Sequence, residues 1–101
     1  MKNSQTASCD EKKYIVLIIY DIVENKNRNK MVNYLKAYAV RVQKSAFEAY
    51  ITKRNYEQLL GDLPFLINPE TDSLRIYLLD DDLSVQSWGI GDSHTEEVII
   101  L

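Results

Sequence analysis

The stretch "YIVLIIY", residues 14–20, limits the fold more than any other part of the chain. Side chains alternate along a strand, so Ile15, Leu17 and Ile19 share one face, while Val16 and Ile18 take the other, between Tyr14 and Tyr20. Both faces are apolar, and a strand of this kind must be covered on both sides. The run then stops at a carboxylate, Asp21, which either opens a loop or serves as a ligand.

Past Asp21 the period changes. In "NKNRNKMVNYLKAYAV" the residues Met31, Leu35 and Tyr38, with Val32 beside them, fall on one helical face, and Arg28, Lys30, Asn33 and Lys36 fill the remainder. "RVQKSAFEAYI" predicts two short strands meeting near Lys44 and Ser45, with Val42, Ala46, Phe47, Tyr50 and Ile51 as inward candidates. Thr52 is placed to cap a second helix bearing Tyr56, Leu59, Leu60 and Leu63, which Pro64 should end or kink. After the turn "NPETD", the stretch "SLRIYLL" predicts a strand with Leu74, Ile76 and Leu78 opposite Arg75, Tyr77 and Leu79. A short strand is expected around Val85, and "EEVIIL" is a last strand candidate.

Strand, helix, strand, strand, helix, strand defines an α+β class: a ferredoxin-like βαββαβ sandwich with an extra C-terminal strand. Two helices cover one face of such a sheet. The least costly cover for the other is a second copy, which predicts a two-fold homodimer, with "EEVIIL" padding an edge of its own subunit or of the partner. The 101 residues suit one domain, taken as 14–101, behind an N-terminal tail, 1–13, expected to be flexible.

"MKNSQTASCDEKK" has no apolar core of a secretory signal, and no later run approaches the roughly 18 apolar residues of a membrane helix, so a cytoplasmic protein without a membrane partner is expected. The single cysteine, Cys9, excludes an intramolecular disulfide. His94 suggests no histidine acid or base, the run Asp80, Asp81 and Asp82 reads as a solvated turn, and Trp88 as a packing anchor. The net charge of −3 conceals an uneven distribution. Between Glu24 and Glu48 there is no acid, yet Lys26, Arg28, Lys30, Lys36, Arg41 and Lys44 make up six of the twelve basic residues. Such a window can hold a phosphate backbone, or simply solvate a helix face.

"YIVLIIYDI", "NRNKMVNYLKAYAVRVQKSAFEAYI", "DSLRIYLL" and the closing "EEVIIL", in that order and spacing, resemble the CRISPR-associated protein 2 family. The resemblance implies a metal-dependent nuclease-type homodimer of the CRISPR adaptation machinery, acting on single-stranded RNA or double-stranded DNA and bridging the CRISPR integrase. It assigns the catalytic and metal-binding role to Asp21, with one Mg²⁺ shared by two copies of that residue. Bottom-up chemistry agrees, because Mg²⁺ takes one or two carboxylates and keeps several waters. Nucleic acid would then meet Arg28, Arg41, Ser45, Lys30 and Lys44, while Phe47 and Tyr77 serve packing or the dimer. The chain departs from the family pattern in its longer tail, in Pro64, and in the thinner basic cluster "NKNRNK". A non-catalytic nucleic-acid scaffold and a toxin-type ribonuclease of similar fold are the competing readings; an RNA-recognition motif is not, since "AFEAYI" lacks its aromatic signature.

Overall fold

A computed structural model describes residues 12–79 and 84–90. The elements run β1 (Lys13–Asp21), α1 (Asn25–Leu35), β2 (Ala39–Gln43), β3 (Ala46–Thr52), α2 (Lys53–Asp62), a 3₁₀ turn (Leu63–Leu66), β4 (Ser73–Leu79) and β5 (Ser84–Gly89). They form one antiparallel sheet in the order β2-β3-β1-β4-β5, so the doubly apolar strand lies at its centre. The first four strands have the ferredoxin-like order, and β5 adds to the free edge of β4. The tail through residue 11, the acidic run 80–82, His94 and the "EEVIIL" segment lie outside the described residues.

Local signals explain the boundaries. Thr52 Oγ1 accepts the Asn55 amide at 3.2 Å and starts α2, and Pro64, without an N–H, is accommodated at the start of the 3₁₀ turn where α2 stops. The β2–β3 connection falls at Lys44 and Ser45, with a register shift between Arg41 and Gln43 in place of a tight glycine turn. α1 is shorter than its apolar period predicts. It ends at Leu35, and the amides of Ala37 and Tyr38 donate to the carbonyls of Tyr34 and Leu35, so Tyr38 reaches the core from a turn. Tyr34 Oη donates to Asp62 Oδ2 at 2.6 Å and ties the two helices together; burial, helped by that carboxylate, pushes the phenol pKa up.

The core lies between the sheet and the helices. Ile18 has Phe47 on one side and Ile76 on the other, and all three are fully buried, with Met31, Leu35, Leu59 and Leu63 above them. Each such side chain is worth roughly 1.5–3 kcal/mol of transfer free energy. Phe47 therefore belongs to the core of its own chain. Two inward candidates are corrected. Tyr50 pairs with Ile15 on the opposite face and is 67% exposed, and Val42, on the edge strand at the register shift, is 46% exposed.

That opposite face carries Ile15, Ile19, Val40, Tyr50 and Leu79, all exposed, with Leu17 and Tyr77 paired between β1 and β4. Among the described residues no helix packs on it, and none is long and apolar enough to cross a membrane.

Candidate active site

The ladder places Asp21 at the last position of β1, exposed, with Ser73 of β4 as its cross-strand partner. The chain then turns: Ile22 is buried, Val23 is exposed, and α1 begins after Glu24, whose side chain makes no capping bond to the helix. Arg28, one turn into α1, sends Nη1 back to the carbonyls of Ile22 (2.9 Å) and Val23 (3.3 Å), and Nη2 to Asn25 Oδ1. The guanidinium thereby holds the loop that follows the acid, as a planar fork can and an ammonium cannot.

The β2–β3 turn approaches from the other side. Arg41 donates from Nε (3.2 Å) and Nη2 (2.7 Å) to the Lys44 carbonyl, and its guanidinium lies over the Phe47 ring at 5.8 Å. The Tyr20 hydroxyl donates to the same carbonyl at 3.4 Å, and the Tyr20 amide to Ser45 O at 3.1 Å. Burial pushes the Tyr20 phenol pKa up against the opposing pull of Arg41 and Arg28, so at neutral pH it is a hydroxyl donor and no base.

These contacts bring Tyr20, Asp21, Ile22, Arg28, Arg41, Lys44 and Ser45 around one concavity of about 430 Å³. Of the residues singled out in the sequence, Asp21, Arg28, Arg41, Lys44 and Ser45 meet here. Lys30 is exposed on α1 and does not line the concavity; Phe47 lies in the core behind Arg41, and Tyr77 sits on the open face of the sheet. Three cations to one carboxylate make the concavity cationic, which suits a phosphate. Neither arginine spends all its donors on the loops: Arg28 Nε and Arg41 Nη1 take no part in the bonds above.

Among the described residues no group of three or more His, Cys, Asp or Glu side chains could hold a metal. The donor available in the concavity is a single exposed carboxylate, Asp21, an oxygen ligand of the kind a hard cation prefers. It fits Mg²⁺ if water, substrate phosphate or a second carboxylate fills the other positions. The adjacent cations favour an ion arriving together with an anion.

A second carboxylate escaped sequence reasoning. Asp72 is 1% exposed; its Oδ1 accepts the Val23 amide (3.0 Å) and the Thr71 hydroxyl (3.0 Å), and its Oδ2 accepts the Asn68 amide (2.8 Å). Burial alone would raise its pKa, but those bonds outweigh it and hold the carboxyl below the ordinary carboxylate range. In "NPETD" an aspartate before a strand reads as a turn residue, and the bond to Val23, 49 positions away, leaves no local signal.

Fold and site together define a ferredoxin-like α+β domain whose central strand delivers one carboxylate into a basic concavity. The profile of the family described as CRISPR associated protein Cas2 matches residues 14–85. The chain is 38% identical, over 83% of its own length and 92% of the relative's, to the CRISPR-associated endoribonuclease Cas2 3 of Chloroflexus aurantiacus. It is 34% identical, over 75% of its length and 81% of the relative's, to a CRISPR-associated endoribonuclease Cas2 of Thermus thermophilus. The crystal structure of a hypothetical protein from Thermus thermophilus superposes with a TM-score of 0.63 at 38% identity, covering 67% of this chain and 83% of that one. The chain belongs to the Cas2 family of CRISPR-associated proteins.

Proposed function

We propose that the chain acts as a metal-dependent endonuclease of endoribonuclease type within the CRISPR adaptation module, as a cytoplasmic homodimer that also bridges the CRISPR integrase. The observation that carries this reading is the convergence of Asp21, Arg28, Arg41, Lys44 and Ser45 on one concavity from three separate elements. Asp21 would hold Mg²⁺, one ion shared by two copies of Asp21 across the dimer axis. When bound, the ion supplies polarisation of a phosphodiester oxygen and a lowered pKa for coordinated water. The N–H groups that Arg28 and Arg41 keep free of the loops would hold phosphate oxygens and receive charge developing on them. Lys44 adds a point charge, and Ser45 orients phosphate or water from the β2–β3 turn. Lys30 would meet the nucleic-acid backbone farther along α1.

The class of nucleic acid is RNA in the names of the relatives above, whereas a further relative, from another strain of Thermus thermophilus and 36% identical over 76% of this chain, is named an endonuclease. Both single-stranded RNA and duplex DNA are therefore substrates to assay. Asp21→Asn keeps size and removes the charge a hard cation needs, so Mg²⁺-dependent cleavage should vanish while folding and duplex binding persist. Wild-type rates in that variant would overturn the assignment. Arg28→Ala and Arg41→Ala should each weaken binding more than Lys53→Ala, with a salt dependence that flattens as phosphate contacts are lost. Equal losses for all three would mean that the concavity is not the binding face.

The competing reading, a scaffold without catalysis, draws support from the use both arginines make of main-chain carbonyls, which fixes the shape of a basic surface whether or not bonds are cut there. Spacer acquisition in cells carrying Asp21→Asn separates the two: survival makes the architecture the biological role.

A further inference from the structure

We propose that Asp72 is a positioning residue of the cleavage site, whose buried carboxylate fixes the main chain just beyond Asp21; this rests on the reading of Asp21 as the metal-binding acid. A carboxylate that is 1% exposed carries a desolvation cost that an apolar or amide side chain would avoid. Its partners are two main-chain amides and one hydroxyl, all neutral donors, so no opposite charge explains its presence there. A carboxylate can do one thing here that an amide cannot: it accepts on both oxygens at once, joining the turn before β4 to the loop after β1.

The loop it grips needs holding. Val23 is 66% exposed and anchors little, and the N-cap residue Glu24 caps no helix amide with its side chain, which accepts only the exposed Asn27 side-chain amide at 3.0 Å. The main chain at residues 22–23 is instead held from opposite directions, by Asp72 on the Val23 N–H and by Arg28 on the Ile22 and Val23 carbonyls. Asp21 immediately precedes this grip and ends the ladder, paired there with Ser73, the neighbour of Asp72. The carboxylate of Asp21 is thus referred to Asp72 twice, through the ladder and through the loop.

Asp72 is itself located by its main chain. Its carbonyl accepts the Ile90 amide at 3.0 Å, and its amide donates to Asn68 O at 2.8 Å. At the end of β5, Gly89 has φ +87°, and a Cβ there would lie 2.1 Å from the Asp72 carbonyl oxygen, so only glycine lets β5 close on this point. Three segments therefore converge on Asp72, and the strand-end acid inherits their rigidity.

The test compares metal binding with folding. In Asp72→Asn, whichever way the amide turns, its NH₂ faces the amide of either Val23 or Asn68, so one donor loses its acceptor at nearly constant volume. Mn²⁺ binding followed by electron paramagnetic resonance without nucleic acid, and the Mg²⁺ concentration giving half-maximal cleavage, should both shift to about tenfold higher metal, the lower end of what outer partners of metal ligands produce. Raising the metal concentration should restore kcat. RNA affinity in chelator, with Arg41 and Lys44 untouched, should not change. A merely structural role would lower the melting temperature and leave the metal half-saturation, measured well below that temperature, where it was. Thr71→Val, which removes the hydroxyl donor to Oδ1 alone, should shift metal binding in the same direction by a smaller factor, and it serves if Asp72→Asn does not fold. Unchanged metal affinity in whichever of these variants folds, beside lost binding in Asp21→Asn, overturns the positioning role and leaves the site reading intact. Metal binding by Asp21→Asn as tight as wild type removes the site reading, and the positioning role with it.

Discussion

The two faces of β1 are built from the same kind of residue and have opposite fates. Val16, Ile18 and Tyr20 lie under the helices at 2% exposure or less, whereas Ile15 and Ile19, one residue away in each case, keep 41% and 36% of their surface. β3 repeats the contrast, since Phe47 is fully buried and Tyr50 is 67% exposed. Composition does not distinguish the faces; connectivity does. Both crossover helices of a ferredoxin-like chain pack on one side of the sheet, so among the described residues one face is closed and the other is left uncovered. One face accounts for folding. The other is available for assembly, and a second copy of the chain is the occupant we infer.

The largest expected effect comes from opening the closed face. Phe47→Ala empties the position between Ile18 and Arg41 and should cost about 3–5 kcal/mol in urea or thermal denaturation, a large part of the stability of a domain this size. Tyr50→Ala, three residues along the same strand, should cost far less for the monomer. Similar losses at the two positions would erase the contrast between faces.

Acid should come next. The folded Asp72 carboxyl titrates below its unfolded value of about 3.9, so the clamp contributes its full stability above that pH. As the pH falls through the folded pKa, the contribution disappears, because the protonated acid can no longer accept on both oxygens. A denaturation series from neutral pH to below pH ~3 should show this loss, and in Asp72→Asn the corresponding part of the acid dependence should be absent. An identical acid profile in that variant would show that other carboxylates govern the transition.

Much of this arrangement is legible in the sequence, and what is not has a physical reason. Alternation reveals that β1 and β4 have two apolar faces, Thr52 and Pro64 mark the limits of α2, and the period change after Asp21 announces α1. Alternation does not say which face the helices choose, so Tyr50 on the regularly paired β3 reads as inward by its apolar ring alone, while the register shift after Arg41 defeats alternation on β2, where Val42 reads as inward. The site shows the same division. The acid-free window exposes the cations, but spacing cannot show that Arg28 and Arg41 fold back onto carbonyls at 22, 23 and 44. Asp72 is the extreme case, since a contact across 49 positions has no periodic trace.

A smaller effect tests the cover of the closed face from its edge. Thr52→Ala removes the acceptor for the Asn55 amide at the start of α2 and should cost about 1 kcal/mol. It should leave self-association unaffected, because α2 packs on the side away from the open face.

The smallest effect on folding should come from the open face, where it is paired with the largest effect on assembly. Leu79 is 39% exposed and stands opposite Ile15 across the β1–β4 ladder. In Leu79→Lys the four-carbon stem can lie along that surface while the ammonium reaches water, so the isolated chain should lose no more than about 0.5 kcal/mol. In a homodimer that uses this face, the same ammonium would be taken out of water without a partner, at a cost no isologous contact can spare when the symmetry places it there twice. Sedimentation equilibrium should therefore show a dimer for the intact chain and a monomer for Leu79→Lys, and the variant's melting temperature should no longer depend on protein concentration. A variant that stays dimeric would place the interface elsewhere. One that unfolds as Phe47→Ala does would show that this face is core after all.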